Sequence, residues 1–103
     1  MANYLLVYTG GNASPPEDGE KVMQAWMSWF GQLGPAVVDG GNPTSMGKTI
    51  GSGGSVSEGG KSGVSGYSVI SANSLDEAVG AAKGCPHLAA GGTVEVYETF
   101  NPM

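Results

Sequence analysis

Gly66-Tyr67-Ser68-Val69-Ile70-Ser71-Ala72-Asn73-Ser74-Leu75-Asp76-Glu77-Ala78 joins a strand pattern directly to a helix start. The first six residues suit a pleated strand, and Ser74 and Glu77 stand at the spacing of a capping box. There the hydroxyl and the carboxylate each satisfy an amide that the first helical turn leaves free. The helix runs through Ala78, Val79, Ala81 and Ala82 to Gly84, with Pro86 just beyond, so both of its ends are marked.

Downstream, Thr93-Val94-Glu95-Val96-Tyr97-Glu98 alternates apolar and polar residues, the pattern of an edge strand with one wet face. At the start of the chain, Tyr4-Leu5-Leu6-Val7-Tyr8 is nearly continuous apolar and aromatic sequence and suits a central strand buried on both faces. Ser14-Pro15-Pro16-Glu17 offers a helix start with Ser14 as cap, Pro15 at the first position and Glu17 closing a capping box. Val22, Trp26, Trp29, Phe30 and Leu33 follow at helical spacing and stop at Gly34-Pro35. Pro35-Ala36-Val37-Val38-Asp39 reads as a short second strand near an edge.

The order is therefore βαββαβ. Right-handed crossovers put both helices on one face of an antiparallel sheet, with the first and third strands central and the second and fourth outside. That is a ferredoxin-like α+β domain, spanning residues 1–103 as one unit. The other sheet face carries either Tyr4, Leu6 and Tyr8 or Leu5 and Val7, too apolar to stand in water. A second copy of the chain is expected to cover it, giving a homodimer.

Between Gly40 and Gly66 the composition shifts to Gly, Ser, Thr and Asn, with Met46, Ile50, Val56 and Val64 scattered through it. This is a long loop or a ragged hairpin extension, a surface insertion or a functional segment. Gly41-Asn42-Pro43-Thr44-Ser45-Met46-Gly47-Lys48-Thr49 superficially resembles a phosphate-binding loop. Its glycines are one residue too far apart, and no helix follows to present its N-terminus. Gly51-Ser52-Gly53-Gly54 and Gly59-Gly60 likewise lack the strand-turn-helix frame of a dinucleotide fingerprint.

Nine acidic residues face four lysines, with no arginine, for a net charge of −5. Nucleic acid is excluded as a natural partner, because phosphate recognition draws on clustered Lys and Arg. The single cysteine, Cys85, allows no intramolecular disulfide and no multi-cysteine metal site. No apolar run reaches the roughly 20 residues of a membrane helix. The start shows no signal-peptide pattern, so the expectation is a soluble cytoplasmic protein.

His87 is the only histidine and follows the helix stop at Gly84-Cys85-Pro86, where it serves either as a general acid or base or as a cap for helix carbonyls. Asp39 closes the second strand beside two glycines, where a carboxylate satisfies turn amides or faces a cleft. Trp26 and Trp29 sit on the helix stripe and suit core packing, and one of them could line a pocket. Cys85 has no basic neighbour in sequence and suits a buried, inert thiol.

Taken together, several segments resemble the YCII-related family. They are the strand Tyr4 to Tyr8, the aromatic helix Trp26 to Leu33, Val38-Asp39-Gly40-Gly41, Gly66 to Ile70, Ser74 to Ala78, Cys85-Pro86-His87-Leu88 and Gly91 to Val96. The resemblance implies a dimeric α+β barrel, two ferredoxin-like halves paired through their sheets, with pockets inside or at the mouth of the barrel. Two family motifs do not carry over. No histidine stands near the first helix, and Val56-Ser57-Glu58-Gly59 runs into Gly60-Lys61 where relatives with an Asp-Gly-Pro-Phe motif would have Pro-Phe.

The functional expectation is a domain that binds a small organic molecule, or an acid/base enzyme without cofactor or metal. Asp39 and His87 are its candidates for proton transfer, and Tyr8, Trp29 and Tyr67 its candidate lining. The alternative is a non-catalytic dimeric interaction or regulatory module that presents segment 40–66 to a protein partner.

Overall fold

The computed structural model describes residues 1–11 and 16–102. A four-stranded antiparallel sheet has the order β2-β5-β1-β6, formed by β1 (Ala2–Gly10), β2 (Val37–Asp39), β5 (Val64–Ala72) and β6 (Gly92–Glu98). The helices are α1 (Gly19–Leu33), α2 (Leu75–Ala82) and a short α3 (Pro86–Ala89). Segment 40–66 contains a separate two-stranded hairpin of β3 (Lys48–Ile50) and β4 (Val56–Glu58).

The two nine-residue strands, β1 and β5, lie at the centre, as their apolar content predicts, and the shorter β2 and β6 form the edges. Of the two possible apolar faces, Tyr4, Leu6 and Tyr8 are the buried one, together with Ser68, Ile70 and Ala72 of β5. Trp29 of α1 and Ala78 and Ala82 of α2 belong to the same buried cluster, so both long helices cover this face. Trp29 also donates its indole N–H to the Ala81 carbonyl at 3.1 Å, which ties α1 to α2. Leu5 and Val7 point the other way, opposite Val69 and Tyr67 on one side and Tyr97 and Glu95 on the other. Within a single chain β1 is therefore half covered rather than buried on both faces.

The capping box at α2 forms with a small variation. Ser74 accepts the Glu77 N–H at 3.1 Å, while the Glu77 carboxylate takes the amide of Asn73, one residue before the cap, at 3.2 Å. Gly34 ends α1 with a positive φ of 56° and returns its N–H to the Phe30 carbonyl. The expected cap Ser14 and first-turn Pro15 lie outside the described residues. The α-helix proper begins at Gly19, after a tight turn over Pro16–Asp18. Residues Gly34–Ala36 form a second tight turn, leaving only three residues to β2.

The chain is flattened, 44 × 43 × 18 Å, about the thickness of one sheet and one helix layer. Its radius of gyration of 15.0 Å exceeds the about 13 Å expected for a compact chain of this length. Segment 40–66, which carries the hairpin, leaves Met46, Ile50 and Val56 exposed at 97%, 71% and 59%. No helix among the described residues is long and apolar enough to cross a membrane.

Candidate functional site

A register shift in the β1–β5 ladder decides where the open space lies. Tyr8 pairs with Gly66 but Thr9 pairs with Val64, so Ser65 is an extra residue on β5. Its hydroxyl satisfies the Tyr8 carbonyl at 3.1 Å. Such a bulge bends the strand and sharpens its local twist. Beside it the turn after β2 docks on β5. The Asp39 carboxylate accepts the Gly41 N–H at 2.8 Å, Tyr67 donates its amide to the Asn42 carbonyl, and Thr44 donates its own to Ser65. Gly41 has a φ of 73°, and a Cβ there would stand 1.7 Å from the Tyr67 carbonyl oxygen. Only glycine allows that approach.

A cleft of about 820 Å³ lies between this turn and α1. Val22, Met23, Trp26 and Phe30 wall one side, with the Tyr8 ring meeting Trp26 edge-on at 5.3 Å. Opposite them runs the turn Gly40, Gly41, Asn42, Pro43 and Thr44, and Gly10, Gly11 and Gly66 bring no side chain to the sheet end. Apolar walls with few polar groups are the usual composition of small-molecule sites.

Three hydroxyl and thiol groups sit beneath the cleft floor. Tyr8 donates to Ser68 at 2.7 Å, and the fully buried Ser68 donates to the Gly40 carbonyl at 2.7 Å. A carbonyl only accepts, so the proton order along this chain is fixed. Burial pushes the Tyr8 phenol well above its ordinary range, outweighing the opposite pull of Ser68. Cys85 lies within reach of Tyr8 and of the His87 amide, and burial raises its thiol despite those contacts. Both groups are held toward their neutral forms, and the Cys85 thiol is a poor nucleophile.

His87 lies on α3 at the cleft, 78 residues along the chain from the strand carbonyl it bonds: Nε2 is 2.9 Å from the Thr9 oxygen. It caps no helix. Glycines hold the ring on two sides. A Cβ on Gly92 would fall 2.0 Å from Nε2, and one on Gly11 2.7 Å from Cε1. Since Thr9 offers only an acceptor, the neutral ring carries its proton on Nε2 and leaves the Nδ1 lone pair unused. Among the described residues no buried side-chain nitrogen or oxygen is without a partner, and none bonds Nδ1, so that atom is reached from solvent.

Of the candidate residues read from the sequence, Tyr8, Tyr67 and His87 border this cleft. Strand alternation aims the Tyr67 ring at the opposite sheet face, beside Val7, so it lends backbone here. Asp39 is not among the lining residues, and its carboxylate is engaged in its own turn. Trp29 lines a separate groove of about 490 Å³ with Gln32, Lys83 and Cys85. Trp26, Phe30 and Met23 replace it in the cleft. Their signal was the stripe at positions 22, 26 and 30, one helical turn apart and displaced from Trp29. Among the described residues no group of three or more His, Cys, Asp or Glu side chains could hold a metal ion.

No protein-family model, curated protein or solved structure matches the chain.

Proposed function

We propose that the chain is a small-molecule binding domain of YCII-related type, acting from the cleft between α1 and the turn after β2, with His87 as its proton acceptor. The observation that carries this reading is the cleft itself. It is walled by Val22, Met23, Trp26 and Phe30 and holds one histidine whose tautomer is set by Thr9. Acid/base chemistry there runs through His87 alone, because the Asp39 carboxylate is held in its turn. The strand order β2-β5-β1-β6 and the helices on one face support a ferredoxin-like assignment. The outward Leu5, Val7, Val69 and Tyr97 support pairing of two sheets into a dimeric α+β barrel.

Amide-resolved NMR with a panel of neutral, cationic and anionic small molecules tests the reading. Shifts confined to the Trp26 indole, the amides of residues 40–44 and the His87 ring are the outcome that supports it. Silence at all of these across the panel sinks it. Light scattering on the purified chain tests the barrel, and a monomer at high concentration removes that part.

A further inference from the structure

We propose that the cleft takes a flat, uncharged aromatic molecule bearing a hydroxyl, and that this hydroxyl donates to Nδ1 of His87. The inference rests on the small-molecule reading of the cleft and specifies its ligand. Three features of the walls lead to it. The first is charge. Among the described residues no Asp, Glu, Lys or Arg lines the cleft, so an ionic ligand would lose hydration with no opposite side chain there to compensate it.

The second is shape. Trp26 stands between Tyr8 and Phe30, its ring centroid 5.3 Å from the first, which it meets edge-on, and 5.8 Å from the second, to which it is tilted by 39°, so three aromatic rings line one side at differing angles. The facing wall at Gly40 and Gly41 presents backbone without side chains, and Gly10, Gly11 and Gly66 do the same at the sheet end. A space between aromatic rings and glycine backbone suits a planar ring, which packs against a single indole or phenyl ring, stacked or edge-on, and approaches the glycines closely.

The third is hydrogen bonding. The Tyr8 hydroxyl is turned inward to Ser68 and cannot serve the ligand. Nδ1 of His87 is a lone-pair acceptor, because Thr9 holds the ring proton on Nε2. A ligand that meets it must bring a donor, and an aromatic hydroxyl combines that donor with the planar apolar body the walls select.

Naphthol, its methyl ether and naphthoate, titrated calorimetrically into the full chain, separate these features. Naphthol should bind about fivefold to tenfold tighter than the ether, the effect of one neutral hydrogen bond, and naphthoate should bind most weakly. His87→Gln places an amide donor where Nε2 stands and so retains the bond to Thr9, but removes the acceptor at Nδ1. In that variant the ratio of naphthol to ether should fall to near one. Equal affinity for naphthol and ether in the unmodified protein overturns the inference, as does tightest binding of naphthoate. Neither result touches the broader reading, which falls only if the whole NMR panel leaves the cleft unmoved.

Discussion

The four-stranded sheet and the β3–β4 hairpin use the same antiparallel pairing, but only the sheet has something to bury. β1 sets Tyr4, Leu6 and Tyr8 against two helices. The hairpin sets Ile50 and Val56 opposite each other in solvent. Its order comes from local bonds: the Gly51 amide to Ser55, the Gly59 amide to Gly47, and the Thr49 hydroxyl to Gly59. A two-stranded hairpin is marginal by itself in water, whereas three or more strands with a covered face are not. Backbone pairing sets the shape of both regions, and burial decides which of them carries the stability.

Equivalent truncations should show the contrast most strongly. Leu6→Ala empties a site of zero exposure in the central strand and should lose about 2–5 kcal/mol in a denaturant melt. Ile50→Ala removes a comparable side chain from the hairpin and should stay within about 0.5 kcal/mol of the parent. Comparable losses at the two positions would mean that the hairpin face is covered in solution, and would shift attention to it as an interface.

Next in size is Ser68→Ala. It removes the buried bond of the Tyr8 hydroxyl and the part-buried bond to the Gly40 carbonyl, a loss of about 1–3 kcal/mol. Ser57→Ala, on the exposed hairpin, should leave the melting temperature unchanged. If Ser68→Ala is equally silent, water enters beneath the cleft and the proton order derived for Tyr8 and Ser68 does not hold.

Alkali should act on the same contrast more gently. Burial raises the Tyr8 phenol above 10.0 and the Cys85 thiol above 9.0, so the folded chain holds these protons more tightly than the unfolded one. Their contribution is complete below pH 9 and is lost as pH climbs past 10. Tyr4 and Tyr97 move in the same direction, Tyr4 chiefly through its bond to Glu98 and Tyr97 through the charge of Glu95. Comparison with Tyr8→Phe isolates the buried phenol. In the parent, its absorbance change should appear only together with loss of the tertiary circular dichroism signal. Ionisation of all four tyrosines in a protein that keeps that signal would contradict the burial of Tyr8.

Much of this architecture was legible because it is local. Ser74 and Glu77 mark a helix start by bonds that span three residues, and Gly34 marks a stop by its own backbone freedom. The central placement of β1 and β5 followed from their apolar content and the handedness of crossovers. What escaped is set by distant contact. The short helix α3 begins at Pro86, where Gly84-Cys85-Pro86 read only as an ending, because proline both stops one helix and opens another. The bond from His87 to Thr9 spans 78 residues, and no local pattern announces it. The docking of Gly41 on Tyr67 needs the bulge at Ser65, a feature of pairing rather than of either segment alone. Asp39 suited a turn more often than a cleft, but its neighbours, two glycines, permit both.

The smallest effect should come from excising the hairpin altogether. Gly59 donates its amide to the Gly47 carbonyl at 3.0 Å, so the chain ends left by removing residues 48–58 already lie side by side. An Asn-Gly turn can close them without disturbing the strands beyond. The contacts that build the cleft wall lie outside the excised stretch: Thr44 to Ser65 and Val64, Asn42 to Tyr67, and Ser68 to Gly40. The shortened chain should therefore melt within a few degrees of the parent, keep its NMR response at Trp26 and residues 40–44, and show the same number of copies per particle by light scattering. A change in the number of copies with the fold intact would reassign the hairpin as a docking element and favour the interaction-module reading. Loss of the cleft response alone would mean that the hairpin braces the turn at Gly41 from a distance, which no bond to that turn from residues 48–58 supports.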